Sequence, residues 1–376
     1  MNVITEIARF GLKIMFHRRF KFKFTYEDFD PKRKEPYIFI FTHTQLNDPL
    51  FVGMYLKYYP YPVASNTLYT NKIMRFALTK LVKSIPKRKG QADSRTIRMI
   101  IDAFNKDHRG IMIAPEGNSS FYGEQTPTDY LTTAKLVKKL DKDLVVAQIN
   151  GGFFADPRWG KYRKRAIIEI NYKPLIKQGE FKDLPLEKVI DILDQAIKFN
   201  DYEWIKNRDY TYKSKTMAEG IEHIIYACPV CGKLQTISTS GNNIFCSHCG
   251  KISEVDEKQF LSGQYKTLID WNTYQKQVIK KHINDKFETT GQLYELDLIH
   301  EDRLFKGDYN ISLNKNEFKL INEAHEFKFD IELMNGMTIT QKNKLSFDYE
   351  AYTYLIKMNH SMLFHDLIKL KRGEKL

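Results

Sequence analysis

The sequence predicts an α/β domain built on a mostly parallel sheet flanked by helices, followed by a small cysteine-knuckle module and a β-rich C-terminal domain. Three observations predict it. Between Phe22 and Ile224, strand-like apolar runs alternate with helical ones. All four cysteines fall in two C-x2-C pairs, 228–231 and 246–249. From Thr290 to Met358, polar and apolar residues alternate in short runs bounded by turn residues. At 376 residues the chain exceeds one ordinary domain, so two or three units are expected, each with its own core.

The α/β assignment rests on element order. Runs suited to strands at 37–41, 110–113, 144–149 and 166–170 alternate with helical runs at 50–59, 72–83, 94–105, 130–140 and 186–199. Beyond the cysteines, 260–284 reads as a helix with Trp271, Tyr274 and Val278 on one side. In the β-rich region, turns are expected at Lys306-Gly307-Asp308, at 313–316 and at Asn335-Gly336. A last helix is expected at 361–370, where Leu363, Leu367 and Leu370 share a face. Several strands closed by one terminal helix resemble the pleckstrin-homology-like architecture. The expected divisions are 1–24, 25–223, 224–254, 255–286 (a linker helix) and 287–376.

The first division, 1–24, is amphipathic. Val3, Ile7, Phe10 and Ile14 recur at helical spacing, with Arg9, Lys13, Arg18, Arg19, Lys21 and Lys23 around them. An apolar stripe with basic flanks suits either a membrane interface carrying anionic lipid or packing against the next domain. Arg9 and Lys13 interrupt the apolar part, and no small-residue cleavage site follows, so a secretory signal is a poor match. No run nears the eighteen or so apolar residues that span a bilayer.

Cys228, Cys231, Cys246 and Cys249 leave no thiol over, and each knuckle runs into glycine, Gly232 or Gly250. Four thiolates at this spacing match a tetrahedral structural Zn2+ site; paired disulfides are the other use of four cysteines, and nothing in the chain indicates export. A closed four-sulfur site has no open position for substrate.

His43 and Asp48, in His43-Thr-Gln-Leu-Asn-Asp48, have the chemistry of a base and its orienting carboxylate. The spacing alone is weak, because His325 and Asp330 repeat it. The first copy follows an apolar strand and runs into Asn47-Asp48-Pro49, a helix start, whereas the second lies in an alternating strand. A second anchor, Pro115-Glu116-Gly117-Asn118-Ser119-Ser120, leads from a strand into small polar residues where backbone can approach a ligand. Glu116 suits a substrate hydroxyl, a basic residue or a simple surface turn.

With Ile85-Pro-Lys-Arg88 and Val145-Val-Ala-Gln-Ile-Asn-Gly151-Gly152, these segments form four ordered blocks over most of residues 40–152. In this the chain resembles the glycerolipid acyltransferase family, typified by 1-acyl-glycerol-3-phosphate acyltransferase. The resemblance implies an α/β acyltransferase domain that moves a fatty acyl group from acyl-CoA, acyl-carrier protein or acyl phosphate to a lysophospholipid hydroxyl in phospholipid biosynthesis. It implies His43 as general base and Asp48 as its orienter. Arg88, Glu116, Gly117 and Asn118 would bind the acceptor. Taken with the basic excess and the amphipathic N-terminus, the blocks lead us to expect a peripheral enzyme on the cytoplasmic face of the membrane. The third block departs from the family, which usually continues Thr-Arg-Ser or Asn-Arg-Ser; here Ser119 stands in place of the arginine. A charge-assisted phosphate contact is worth about 1.5–3 kcal/mol. Arg158, Lys161 and Arg163 are candidates to replace it, or the acceptor head group differs.

The formal net charge is +13, and from Lys72 to Arg98 nine basic residues face one acid, Asp93. Such a surface seeks phosphates of lipid, cofactor or nucleic acid. A ribbon-bearing nucleic-acid binder is the competing class, but it leaves the four blocks without a use. A lipid-binding member that no longer catalyses is the other reading.

Overall fold

The computed structural model describes residues 3–87, 94–161, 166–315 and 317–376, which divide into two compact units. Met1–Pro157 with Lys164–Tyr212 form the first, and Arg158–Arg163 with Lys213–Leu376 the second. Among the described residues no helix is long and apolar enough to cross a membrane.

The first unit runs α1 (Val3–His17), β1 (Phe20–Tyr26), β2 (Ile38–Phe41), α2 (Asp48–Gly53), β3 (Tyr61–Ser65), α3 (Lys72–Phe76), β4 (Ile85–Lys87), α4 (Ser94–Asn105), β5 (Ile111–Ile113), α5 (Leu131–Leu140), β6 (Leu144–Asn150), α6 (Gly152–Ala155), β7 (Ala166–Ile176), α7 (Leu186–Ala196) and α8 (Asp201–Lys206). The sheet order is β1-β7-β6-β2-β5-β3-β4. Five of its six pairings are parallel, and only β6 with β7 is antiparallel. β2 reads Ile-Phe-Ile-Phe with every residue buried, as a central strand covered on both faces must be. Its isoleucines pack with Ile100, Val137 and Leu193. Its Phe39 meets Phe29 and Tyr172 on the other face.

The N-terminal helix stops at His17, short of 24, because Phe20-Lys-Phe-Lys-Phe alternates with the period of a strand and pairs along β7. α2 ends at Gly53 and does not reach 59. The Tyr59 ring lies against that glycine, where an added Cβ would meet it at 2.0 Å. Arg9 fastens α1 there, donating to the carbonyls of Gly53 at 3.2 Å and Leu56 at 2.7 Å. A cation thus sits at the negative end of α2.

The second unit contains β8 (Ile237–Ser240), β9 (Asn243–Cys246), β10 (Gly250–Glu254), α9 (Leu268–Lys280), β11 (Phe287–Asp297), β12 (Asp302–Leu313), β13 (Glu317–Ile321), β14 (Glu326–Asp330), β15 (Asn335–Thr340), β16 (Lys344–Tyr349), β17 (Tyr352–Met358) and α10 (Ser361–Lys371). β8 to β10 form a three-stranded sheet, and β11 to β17 an antiparallel one in the order β14-β13-β12-β11-β17-β16-β15. Helix α9 is more than a linker: Trp271 Nε1 donates to Ala227 O at 2.9 Å, and Gln275 bonds both Tyr226 N and Ile224 O. The expected turn at Lys306-Gly307-Asp308 is instead a bulge inside β12. Leu293 pairs with Gly307 and Tyr294 with Phe305, so Lys306 is the extra residue.

Candidate functional site

Four parallel strands point their carboxyl ends to one edge of the sheet. β2, β4, β5 and β6 all run the same way, and each is followed at its carboxyl end by one block: His43, Arg88, Glu116 and Gly151. Carboxyl ends of parallel strands are where such sheets place ligands. Arg88 lies outside the described residues; Lys87 before it is the last residue of β4.

His43 Nδ1 lies 3.1 Å from Asp48 Oδ2. Asp48 is fully buried, and its remaining capacity is filled by the Thr44 hydroxyl at 3.1 Å and the Gln45 amide at 2.8 Å. A carboxylate so held fixes the imidazole as the Nδ1–H tautomer and leaves Nε2 as the basic atom. Burial pushes the Asp48 carboxyl upward, and its hydrogen bonds to His43, Gln45 and Thr44 oppose that push.

The third block supports His43 from behind. Glu116 is 7% exposed and accepts the His43 amide on Oε1 at 3.0 Å and the Thr126 amide on Oε2 at 3.0 Å. Ser120 donates its amide to the His43 carbonyl at 2.8 Å. The main chain of His43 is therefore gripped on both its N–H and C=O by one loop. Burial raises the Glu116 carboxyl to about 8, partly offset by the two amides. Both its oxygens are engaged by backbone, so its observed work is positioning. Gly117 turns that loop at φ +69 and is exposed, while Asn118 is half-buried and Ser119 buried.

The fourth block closes the other side. A Cβ on Gly152 would lie 2.0 Å from Thr44 Oγ1, so only glycine lets the block approach. Asp201, fully buried, accepts the amides of Gly151 at 2.8 Å and Phe153 at 3.1 Å. Burial lifts its carboxyl to about 7. Thr44 and Ser120 are polar residues inside the first and third blocks, but Asp201 carries no motif that marks it in the sequence.

Arg158 does not take the place of the third-block arginine. It belongs to the second unit, 5% exposed, where its guanidinium donates to the carbonyls of Ile339 at 2.9 Å and Gln341 at 3.1 Å. Lys161 pairs with Glu219 at 2.9 Å, and Arg163 lies outside the described residues. The second His-x4-Asp spacing forms no site. The His325 amide donates to Asn322, and Asp330 accepts the Glu332 amide at 3.0 Å to cap a turn.

In the second unit, the sulfurs of Cys228, Cys231, Cys246 and Cys249 all lie within 4.8 Å of one another. The separations Cys228–Cys249 and Cys231–Cys246 are 3.9 Å, too long for disulfides. They match the edge of roughly 3.8 Å expected for a tetrahedron with metal–sulfur bonds of about 2.3 Å. Gly232 and Gly250 turn the knuckles at φ +72 and +76. The Cys228 carbonyl accepts the Tyr274 hydroxyl of α9 at 3.2 Å. Four cysteines so placed can hold one metal ion.

The sequence profile of the family described as Acyltransferase matches residues 22–141. Among solved structures, the chain is similar to that of the 1-acyl-sn-glycerophosphate (LPA) acyltransferase, PlsC, from Thermotoga maritima. The identity is 15% and the TM-score 0.34, over 50% of this chain and 73% of that one, a likeness too distant to bear on the site. No curated protein matches the chain. The matched stretch begins at Phe22 and holds the blocks of His43 and Glu116, so residues 22–141 are similar to the acyltransferase family.

Proposed function

We propose that the protein transfers a fatty acyl group from an acyl thioester or acyl phosphate to the free hydroxyl of a lysophospholipid, with 1-acyl-glycerol-3-phosphate as the acceptor that best fits. The carrying observation is the His43–Asp48 pair, 3.1 Å apart with the carboxylate buried and saturated. In this reading the acceptor oxygen attacks the acyl carbonyl carbon as its proton passes to His43 Nε2. The tetrahedral oxyanion then collapses, the bond from carbon to sulfur or phosphate oxygen breaks, and the imidazolium returns the proton to solvent or to the leaving group. No covalent enzyme intermediate is required. Glu116 and Ser120 keep the His43 main chain fixed, and Arg88, Gly117 and Asn118 receive the acceptor's head group. Ser119, in the place of an arginine, favours a second reading, lipid binding without turnover. A single-turnover assay with acyl-CoA or acyl-carrier protein and lysophosphatidic acid decides between them: transfer that disappears in His43→Ala supports the enzyme, and no transfer by the parent protein supports the binder.

Peripheral attachment to the cytoplasmic face of a membrane belongs to the same proposal. Ile7, Phe10 and Ile14 of α1 remain 66%, 66% and 42% exposed, which supports an interfacial rather than a packed role for that stripe. We assign Zn2+ to the four cysteines, as a structural ion with no open position. Seven antiparallel strands, in two consecutive runs β11 to β14 and β15 to β17 joined through β11 and β17, followed by helix α10, support the pleckstrin-homology-like reading of the C-terminal region.

A further inference from the structure

Short helices hold their shape mainly by burying an apolar face. The segment from Lys72 to Leu81, α3 and the π-type turn after it, contains no buried residue. Its composition is nonetheless apolar, with Ile73, Met74, Phe76, Ala77, Leu78 and Leu81. Ile73 is 83% exposed, Met74 45% and Phe76 60%. The presentation is built into the backbone: Asn71 caps the helix by accepting the Met74 amide at 3.0 Å, and the Thr79 hydroxyl donates to Arg75 O at 2.7 Å.

The neighbour of this segment is α1. Leu12 and Phe16 line one crevice with Leu81, Val82 and Leu50, so the two elements adjoin in the first unit. The outward stripe of α1 carries Ile7, Phe10 and Ile14. The charge around α3 has one sign: residues 66–87 include Lys72, Arg75, Lys80, Lys83 and Lys87 and no Asp or Glu. Lys72, Lys80 and Lys83 are exposed. Apolar tips collared by ammonium groups suit the boundary between acyl chains and anionic head groups, where each part finds its own environment. A protein partner of matching apolar shape would have no need of that uniform collar.

We propose that α3 is a second lipid-inserting element, which with α1 seats the first unit on a bilayer bearing anionic phospholipid. The inference rests on the membrane part of the proposed function and extends it to residues outside the N-terminal stripe.

The test uses the full chain and phosphatidylcholine vesicles with and without phosphatidylglycerol, scored by co-sedimentation. The double variant Ile73→Ser/Phe76→Ser should partition roughly tenfold less into phosphatidylglycerol vesicles. Lys72→Glu/Lys80→Glu should lose the preference for anionic lipid. Because all four side chains are exposed, an unchanged melting temperature verifies that the variants are folded. Acyl transfer to a short-chain acceptor dissolved as monomer should be equal in all of them. If the apolar double variant partitions like the parent, or the parent binds neither vesicle, the inference is overturned. It is also overturned if the parent sediments as a dimer that the double variant dissolves, since the patch then joins two copies. If acyl transfer is absent throughout while the vesicle effects persist, the enzymatic reading fails and this inference stands.

Discussion

Thr44 and Gly152 approach so closely that only a hydrogen fits between them: a Cβ on Gly152 would stand 2.0 Å from Thr44 Oγ1. That hydroxyl is the one donating to Asp48 Oδ1 at 3.1 Å. The fourth block therefore controls the carboxylate of the first block without touching the imidazole.

Gly152→Ala should displace Thr44 and loosen Asp48. Overpacking a filled site costs about 1–3 kcal/mol, which urea denaturation of the variant would report. Turnover should fall while KM for both substrates stays close to that of the parent.

Asp48→Asn keeps the shape of the side chain and removes the charge that selects the His43 tautomer. In hydrolase triads the equivalent change lowers kcat by about ten-thousandfold, and a loss of at least a hundredfold is expected here. His325→Ala, the other occurrence of the spacing, should leave turnover unchanged in the same assay.

Glu116 and Asp201 make stability fall with rising pH. Burial holds their carboxyls at about 8 and about 7, above their ordinary values of 4.5 and 3.8, so between those limits the folded chain binds more protons than the unfolded one. Their contribution is fully present below the ordinary carboxylate range and is lost as pH passes through 7 to 8. Urea midpoints across that range should decline for the parent, and the decline should be shallower in Glu116→Gln.

Chelation should release one zinc per chain and lower the melting temperature, with Trp271 fluorescence following the change, because α9 bonds the segment that carries Cys228. Structural zinc binding is folding free energy, roughly 10 kcal/mol or more in isolated fingers. Cys246→Ser should behave as the chelated protein does.

The parts of this architecture legible in the sequence are those whose causes are local. The run 38–41 and the helix from Ser94 to Asn105 announce themselves through periodicity, and the His43–Asp48 pair through the strand before it, the helix start after it and the ordered blocks around it. The cysteine cluster does so through two short knuckles. What escaped depends on distant backbone. One of the two partners of Glu116 is an amide 73 positions away, and nothing in a glutamate after proline distinguishes a brace from a ligand for substrate. Asp201 is tied to Gly151 across 50 residues. β3 and β4 are short, partly exposed strands whose pairing, not their composition, defines them. Gly307 has the look of a turn residue because glycine marks turns and bulges alike.

The alignment of β2 with β5 pairs Ile40 with Ile113, three residues ahead of His43 on one strand and of Glu116 on the other. Each residue carries its partner's position by counting from that shared rung. Deleting or inserting a single amino acid in either strand would turn every side chain beyond it to the opposite face. His43 and Glu116 are consequently intolerant of any change in length between rung and residue, whereas the exposed turn at Gly117 lies beyond that count. A lineage descending from this chain could rewrite that turn while the register that sets His43 beside Glu116 stays fixed.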